Sequence, residues 1–472
     1  MGNRYARYVR HNVRLLVAML LLAALALTGG SSLAGEDQQA LARLAAIAAI
    51  LATFWPLEFD VLSPHKPLLV FIGGVFLLVL LQLIPLPPDL WASLPGRDTY
   101  AAIARESGTT GSRPLSLTPD LTVNSLFALL PATAATLSAL YLNGRGRSRL
   151  FLALLLVACA SAGLGLIQAG TGGSAFHLYR HSSDQAPTGL FANRNHQAVL
   201  LACALPLAGA IAGIRIREGG DARKSIAVTL GIAMVLLLAL VSTGSRMGVV
   251  LGGLATVACL WCYFTACPFR FRGGWTSPLV AGGLGLALVG VIGLAAQRSG
   301  ALERLALTDT VTETRAAMLA PLFKTAKAFM PLGAGFGSFD SVYRRFEPDA
   351  LLSTIYMNQA HNELLQLAIE GGVLALALLA LFCWWWARTC VRILRQRASV
   401  RARTMGLAAI STTMILMASS LVDYPLRTPL LGALFAIACI EMTRSAAPRA
   451  APEQRDAAEH AQPSRVALGA IA

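Results

Sequence analysis

The chain has 472 residues, of which 56% are hydrophobic and 13% are charged, with a mean hydropathy of +0.61. A soluble domain has about 25% charged residues, so this composition excludes a soluble multidomain protein, and it also excludes a chain disordered over most of its length. The net charge of +15 is typical of a membrane protein with Lys and Arg in its cytoplasmic loops, so no nucleic-acid partner is expected.

Long apolar runs follow one another from end to end. A helix needs roughly 20 apolar residues to cross a bilayer, and helices satisfy their own backbone hydrogen bonds in lipid. The pattern therefore predicts an all-α, polytopic integral membrane protein with about 12 transmembrane helices, forming one transmembrane domain over 1–445. The predicted spans are 15–34, 40–57, 67–86, 121–142, 150–169, 196–214, 226–243, 247–266, 277–296, 361–387, 404–422 and 429–443.

The first span has two interpretations. Four arginines at positions 4, 7, 10 and 14 precede it, and Ser32-Leu33-Ala34 resembles a cleavage site, so the segment also fits a signal peptide. Its apolar stretch is long enough to cross the bilayer, which favours a retained signal anchor. Cleavage would leave the orientation of the later spans unchanged.

The basic residues predict the orientation. They follow spans four, six, eight and ten, whereas the other loops are short and acidic or balanced, or long and mixed in charge, so both termini are expected in the cytoplasm. Loops 87–120 and 297–360 are then on the outer side, the second lying between spans nine and ten, and the Ala/Pro-rich tail 446–472 is a disordered cytoplasmic segment. The basic residues include Arg145, Arg147, Arg149, Arg215, Arg217, Arg270, Arg272, Arg388, Arg392 and Arg395.

Three polar clusters interrupt the apolar pattern. They are 188–196 (TGLFANRNH) at the start of span six, 242–246 (STGSR) between spans seven and eight, and 361–363 (HNE) at the start of span ten. The second is so short that it predicts the tip of a tight helical hairpin. Since all three follow odd-numbered spans, the count places them on the outer face at a similar depth.

The residue types in these clusters suit chemistry on a diphosphate. Arg194 and Arg246 can each match phosphate oxygens with two parallel hydrogen bonds, and His361 can act as a general base, a role worth ~10²–10⁴-fold in rate. Simpler interpretations stay open: either arginine can extend to the headgroups, and the histidine can be structural. Further candidate substrate-binding residues are Asn193, Asn195, His196, Ser245 and Asn362, of which Asn193 and Asn195 can instead cap span six.

The expected donor is a lipid-linked sugar diphosphate. The chain contains no Asp-x-Asp motif, so metal-bound recognition of a nucleotide sugar is not supported, and nucleotide sugars lie on the cytoplasmic side. A polyprenyl tail would lie in the bilayer among the membrane lipids, with its diphosphate at the interface. We expect no cofactor and no metal.

The loop before His361 contains a predicted interfacial helix. Pro321 is suited to a helix start, Pro331 and Gly333 to its end, and the apolar stripe between them predicts a helix that lies on the membrane. The stripe consists of Leu322, Phe323, Ala326 and Phe329.

The glycine-rich segment 333–339 follows this helix. Backbone N–H groups around Gly335 could face an anion, or the segment could be an ordinary turn. Arg315 is a further cation on the outer side that could contact the substrate.

At these residues the chain resembles the O-antigen ligase/polymerase superfamily of bacterial lipid-linked glycan transferases. The resemblance covers roughly 185–375 and is carried by GLFANRNH at 189–196, STGSRMG at 242–248, PLGAGFGSF at 331–339, and His361-Asn362 with Gly372 after nine further residues. It implies transfer of an undecaprenyl-diphosphate-linked glycan at the periplasmic face of a bacterial inner membrane, which makes 87–120 and 297–360 periplasmic loops. It also implies that no metal takes part, that Arg194 and Arg246 bind the diphosphate, and that His361 is the base.

The resemblance leaves the acceptor open. Ligase-type sequences tend to carry a threonine soon after the glycine, whereas Gly372 is followed here by Val373-Leu374-Ala375. The first expectation is an O-antigen ligase acting on a lipid A-core acceptor in lipopolysaccharide biosynthesis, and the alternative is a repeat-unit polymerase for O-antigen or exopolysaccharide. A small-anion or glycolipid transporter is a third possibility, but such proteins place ionisable groups near the midplane, and these spans carry almost none.

Overall fold

The structure, a computed structural model, describes residues 2–33, 35–53, 59–172, 175–183, 186–267, 310–352, 357–396 and 398–447, with only the backbone described for 2–8, 59–61 and 310–316. The predicted span 277–296 and nearly all of the tail 446–472 lie outside these residues. The described part is mostly helical with almost no strand, as the composition predicts.

The elements run as follows in chain order. The first half contains α1 (Gly2–Thr28), α2 (Asp37–Thr53), a 3-10 helix (Phe59–His65), α3 (Lys66–Leu81), β1 (Pro85–Leu86), α4 (Pro88–Ser93), α5 (Asp98–Glu106), β2 (Arg113–Pro114), α6 (Pro119–Ala128), α7 (Leu130–Leu140) and α8 (Gly144–Gly170). The second half contains α9 (Arg194–Arg217), α10 (Ala222–Ser242), α11 (Arg246–Ala266), α12 (Thr310–Phe329), α13 (Phe339–Tyr343), α14 (Glu363–Arg395), α15 (Val400–Ser419) and α16 (Pro429–Ser445), with 3-10 turns at Asp349–Leu351 and Pro425–Arg427.

Each predicted span other than 277–296 coincides with helix, although the bounds differ. The first helix ends at Thr28, because residues 29–33 form a loop that pairs with neighbouring loops instead of continuing to residue 34. The span predicted over 121–142 is two helices that meet at Leu129. Eight helices are long and apolar enough to cross a membrane within the described residues, so this is a multi-pass membrane protein, while the total of 12 spans stays a prediction.

Helix α9 is the centre of the bundle. It packs against α8, α10, α11 and α15, and 83% of the residues in its 18-residue apolar stretch are buried. Small residues permit this close packing: a Cβ atom at Gly209 would collide with the carbonyl oxygen of Cys259, and one at Gly213 would lie 2.9 Å from that of Tyr263. Large apolar side chains on the other helices, such as Leu156, Val257 and Leu374, are exposed and form the lipid-facing surface.

A second, smaller core lies beside the glycine-rich segment. Here α12 packs on α14, and its residues Leu322, Ala326 and Phe329 are buried with Phe339 and Ile369. The predicted interfacial helix is therefore wrong in two respects. Pro321 lies inside a longer helix that begins at Thr310, and most of the apolar stripe contacts protein instead of lipid, with Phe323 exposed.

The loop after α3 is folded onto this second core. Strands β1 and β2 pair antiparallel, with Pro85 opposite Pro114. The buried amide of Gln82 joins three segments, since its Nε2 donates to the carbonyl of Glu370 at 2.9 Å and its Oε1 accepts from the N–H of Phe336 at 2.8 Å. The glycine-rich segment is thereby held against α14.

Candidate functional site

A fully buried carboxylate, Asp423, lies where the first and third polar clusters meet. Its Oδ2 accepts a hydrogen bond of 2.7 Å from Nδ2 of Asn195, and its Oδ1 lies 3.3 Å from Nδ1 of His361. The Nε2 of His196 lies 3.8 Å from the same Oδ1, which is longer than a hydrogen bond. Three predicted site residues thus surround one carboxylate that was not itself predicted.

The ring of Tyr424 lies beside the two imidazoles. Its centroid is 5.1 Å from that of His196 and 4.9 Å from that of His361. His196 is buried, whereas 24% of the His361 side chain is exposed. Of the two histidines on Asp423, only His361 has a side chain open to a substrate to this extent.

The backbone at His361 is strained. Its φ is +48°, a region that residues other than glycine rarely adopt and that clusters at functional sites. The next residue, Asn362, caps α14, because its Oδ1 accepts from the N–H of Leu365 at 3.0 Å, and its Nδ2 donates to the carbonyl of Leu421. The cap and the strained residue together aim the imidazole at Asp423.

The electrostatics of Asp423 follow from these neighbours. Burial would raise the pKa of the carboxyl group, but the interactions with His196 and then His361 outweigh it and hold the pKa well below its ordinary value. Asp423 is therefore ionised at neutral pH. An ionised carboxylate facing Nδ1 favours the His361 tautomer that carries its proton on that nitrogen, which leaves Nε2 as the proton acceptor.

The start of α9 contributes residues with separate roles. The side chain of Asn193 caps the helix by accepting from the N–H of Asn195 at 2.8 Å, as the capping interpretation expects, whereas the Asn195 side chain turns to Asp423. Arg194 is the first helical residue and is half-buried, with its N–H 3.4 Å from Oγ of Ser183.

The hairpin between α10 and α11 is as tight as predicted. Gly244 has a φ of +64°, and Ser245 caps α11 by accepting from the N–H of Gly248 at 3.1 Å. A Cβ atom at Gly248 would lie 2.6 Å from the Cβ of Ala198 in α9. The first turns of α9 and α11 are therefore in contact, which places the half-buried Arg246 at the same end of the bundle as Arg194.

A second buried carboxylate, Glu370, lies two turns along α14. Its Oε1 accepts from the N–H groups of Gly337 at 3.1 Å and Phe339 at 3.3 Å. Its Oε2 lies 3.3 Å from Nη2 of Arg427, which also forms two hydrogen bonds, of 2.9 and 3.1 Å, with Glu363. Burial would lower the pKa of Arg427, but the two carboxylates raise it above its ordinary value. This cluster is a fixed ionic cross-link.

Two N–H groups of the glycine-rich segment face the internal carboxylate of Glu370, and contact of the segment with a substrate anion stays a prediction. The N–H of Gly335 donates to the carbonyl of Glu370 at 2.9 Å, and a Cβ atom there would collide with Oγ of Ser116. Gly372 interrupts α14 with a φ of +60°, and a Cβ atom at Gly372 would collide with the carbonyl of Pro331. The glycines therefore allow the segment to insert into the break in α14.

Arg315 is a residue of α12, and its side chain lies outside the part of the structure that is described. The described residues contain no group of three or more His, Cys, Asp or Glu residues able to hold a metal ion. The eight cysteines are free thiols.

Asp423, Glu370 and Arg427 are not among the residues predicted from sequence. Asp423 and Arg427 both lie in the short loop between the last two predicted spans, where their charges balance. A single acid in a short loop between two apolar runs is a usable signal, because burial of such a charge requires polar partners. Nothing in the sequence pairs that acid with His361, 62 residues away, or with Asn195.

These features define a class of protein: a multi-pass membrane protein with a buried carboxylate, two histidines and helix starts bearing arginine at one end of its bundle. Residues 231–380 match the family model described as O-Antigen ligase, which confirms the resemblance that the motifs indicate. The match includes Arg246 and His361, and segment 188–196 precedes it. No curated protein matches the chain. The matched family supports a glycan ligase or polymerase type of function in the membrane.

Proposed function

We propose that the protein is a metal-independent glycosyltransferase of the bacterial inner membrane. It moves an undecaprenyl-diphosphate-linked glycan onto an acceptor at the periplasmic face. The observation that carries this proposal is the grouping of His361, Asn195 and His196 around the buried Asp423, because it provides an oriented imidazole at the end of the bundle where Arg194 and Arg246 begin their helices.

The proposed reaction is a single displacement. Nε2 of His361 takes the proton of an acceptor hydroxyl, and Asp423 stabilises the imidazolium that forms. The acceptor oxygen bonds to the anomeric carbon of the donor glycan while the bond from that carbon to the diphosphate oxygen breaks. Arg194 and Arg246 bind the departing undecaprenyl diphosphate, where negative charge accumulates. Asn193, His196, Ser245, Arg315, Gly335 and Asn362 support the site by contacting the substrate or by holding these groups.

The acceptor is a lipid A-core sugar for a ligase or the next repeat unit for a polymerase. Deletion of the gene, followed by gel electrophoresis of the surface glycans, separates these outcomes. Lipid A-core without O-antigen identifies a ligase, and core with a single repeat identifies an O-antigen polymerase. Unchanged lipopolysaccharide together with lost exopolysaccharide identifies an exopolysaccharide polymerase. Unchanged glycans of every kind contradict the proposal.

The orientation is tested separately by reporter fusions. A fusion at residue 360, just before His361, should report the periplasm, and one at residue 395 in the basic end of α14 should report the cytoplasm. The reverse result would place the site on the side where lipid-linked donors are assembled instead of transferred, and would contradict the proposed location.

A further inference from the structure

A second histidine–carboxylate pair lies near the start of α9. Nδ1 of His181 is 3.0 Å from Oε1 of Glu36, and the backbone N–H of His181 approaches the same oxygen at 3.4 Å. Only 4% of the Glu36 side chain is exposed, whereas 75% of the His181 side chain is. A buried carboxylate thus holds an imidazole that is open to its surroundings.

Loop contacts fix this pair to the segment that carries Arg194. The N–H of Gly30 donates to the Tyr179 hydroxyl at 2.7 Å, and the carbonyl of Gly30 accepts from the N–H of Ala192 at 3.1 Å. The N–H of Ser183 donates to the carbonyl of Ala192 at 2.7 Å, and its hydroxyl is the group near the N–H of Arg194. The pair is therefore at the same end of the bundle as the candidate site.

The arrangement repeats that of His361 and Asp423. In both pairs the carboxylate is buried in one loop and the imidazole, from another loop, is the more exposed partner. The neighbouring ion pair differs from it. Arg180 directly precedes His181 and Asp37 directly follows Glu36; their closest atoms are 3.8 Å apart and both side chains are more than four-fifths exposed, so this pair contributes little to stability.

The chemistry of the pair suits a hydroxyl. With its Nδ1 proton donated to Glu36, the neutral imidazole keeps Nε2 as a hydrogen-bond acceptor that faces outward. The pair has no net positive charge in either protonation state of the ring, so it does not complement a phosphate. Sugar hydroxyls are neutral donors that such a nitrogen binds.

We propose that His181, oriented by Glu36, binds a sugar hydroxyl of one of the two glycans that meet at this site. This inference rests on the proposed function only for the identity of those glycans, which are the lipid-linked donor and the acceptor. His181 acts in substrate binding and His361 in proton transfer, so the two imidazoles have separable effects on the kinetics.

The test uses the full-length protein in lipid nanodiscs, with donor and core glycan extracted from the deletion strain. We compare His181→Ala, His181→Gln, Glu36→Gln and the matched control Arg180→Ala. His181→Ala should raise KM for one glycan about tenfold, the loss expected for one hydrogen bond of about 1.4 kcal/mol, with kcat changed less than about threefold. His181→Gln should restore part of the affinity, since its amide oxygen can replace Nε2. Glu36→Gln should have an intermediate effect.

Binding of each glycan without turnover, measured by microscale thermophoresis, separates this proposal from the proposed function. The glycan whose Kd changes in His181→Ala identifies the donor or the acceptor as the partner. If the wild type binds a glycan through His181 yet transfers none, the transferase proposal fails and this one holds. Unchanged Kd and KM for both glycans overturn it. The proposal is also overturned if Arg180→Ala loses as much glycan affinity as His181→Ala and both variants unfold at a lower temperature, because the histidine would then only hold the two loops together.

Discussion

Two buried carboxylates, Asp423 and Glu370, lie in the same part of the molecule and have opposite surroundings. Asp423 faces a neutral amide and two imidazoles, and imidazole is the side chain that most often serves in proton transfer. Glu370 faces the guanidinium of Arg427 and two backbone N–H groups, which do not serve in this way. The comparison teaches that burial of a charge does not mark a reactive site by itself. The titratable character of the partners distinguishes a group that takes part in proton transfer from one that fixes the fold.

The largest expected effect concerns the imidazole on Asp423. His361→Ala removes the proposed base, so the transfer rate should fall by roughly 10²–10⁴-fold while the protein stays at wild-type abundance in the membrane. Transfer is measured by gel analysis of glycan products in the complemented deletion strain, and abundance by immunoblot. Wild-type transfer in His361→Ala would remove the proposed mechanism.

The next effect concerns the guanidinium groups. Arg246→Lys keeps the charge but loses the planar pair of donors, and loss of one such contact costs about 10²–10³-fold in kcat. The control is Arg401→Lys, since Arg401 pairs with Glu218 at the other end of α9. Equal losses in both variants would show that any arginine-to-lysine change disturbs the bundle, and would contradict a specific role for Arg246.

Asp423 itself should have a smaller effect than His361. Asp423→Asn keeps the size and removes the charge that orients His361, and a residue that acts only through the base can cost at most the base's own ~10²–10⁴-fold in rate. The acid limb of the pH–rate profile should change in Asp423→Asn, because the imidazole loses its stabilising carboxylate. A rate loss with an unchanged profile would show that Asp423 supports packing only.

Glu370→Gln should lower the stability of the protein and leave the transfer rate nearly unchanged, the reverse of what we expect for Asp423→Asn. The change leaves Arg427 with Glu363 as its remaining partner and weakens the cross-link, and breaking a buried ion pair costs up to about 3–5 kcal/mol. The unfolding temperature should fall, while the transfer rate per folded molecule changes less than about threefold. A rate loss as large as that of Asp423→Asn, at an unchanged unfolding temperature, would mean that Glu370 acts in catalysis, and the distinction between the two carboxylates would fail.

The sequence predicted the parts of the fold that depend on local patterns. Apolar runs predicted the helices, and the five-residue interruption 242–246 predicted the hairpin, because chain length and hydropathy alone decide both. The stripe on α12 was assigned to lipid, because an apolar face has the same pattern whether it packs on a bilayer or on α14. Asp423 was missed for a related reason: its partners His361 and Asn195 come from segments far apart in the chain, and only the packing of α9 and of α14 against α15 brings them to it.

The smallest expected effect concerns the acidity of Asp423 and its contribution to stability at low pH. The pKa of Asp423 in the folded protein lies below its unfolded value of about 3.9, so its ionisation adds stability that is fully present above that value and is lost as the pH falls through the folded pKa. The difference in unfolding temperature between wild type and Asp423→Asn, measured in detergent from pH 7 to pH 3, should stay constant above about pH 5 and shrink below about pH 4. A difference that grows as the pH falls would mean that the folded protein holds Asp423 protonated, and the oriented imidazole would then lack its ionised partner.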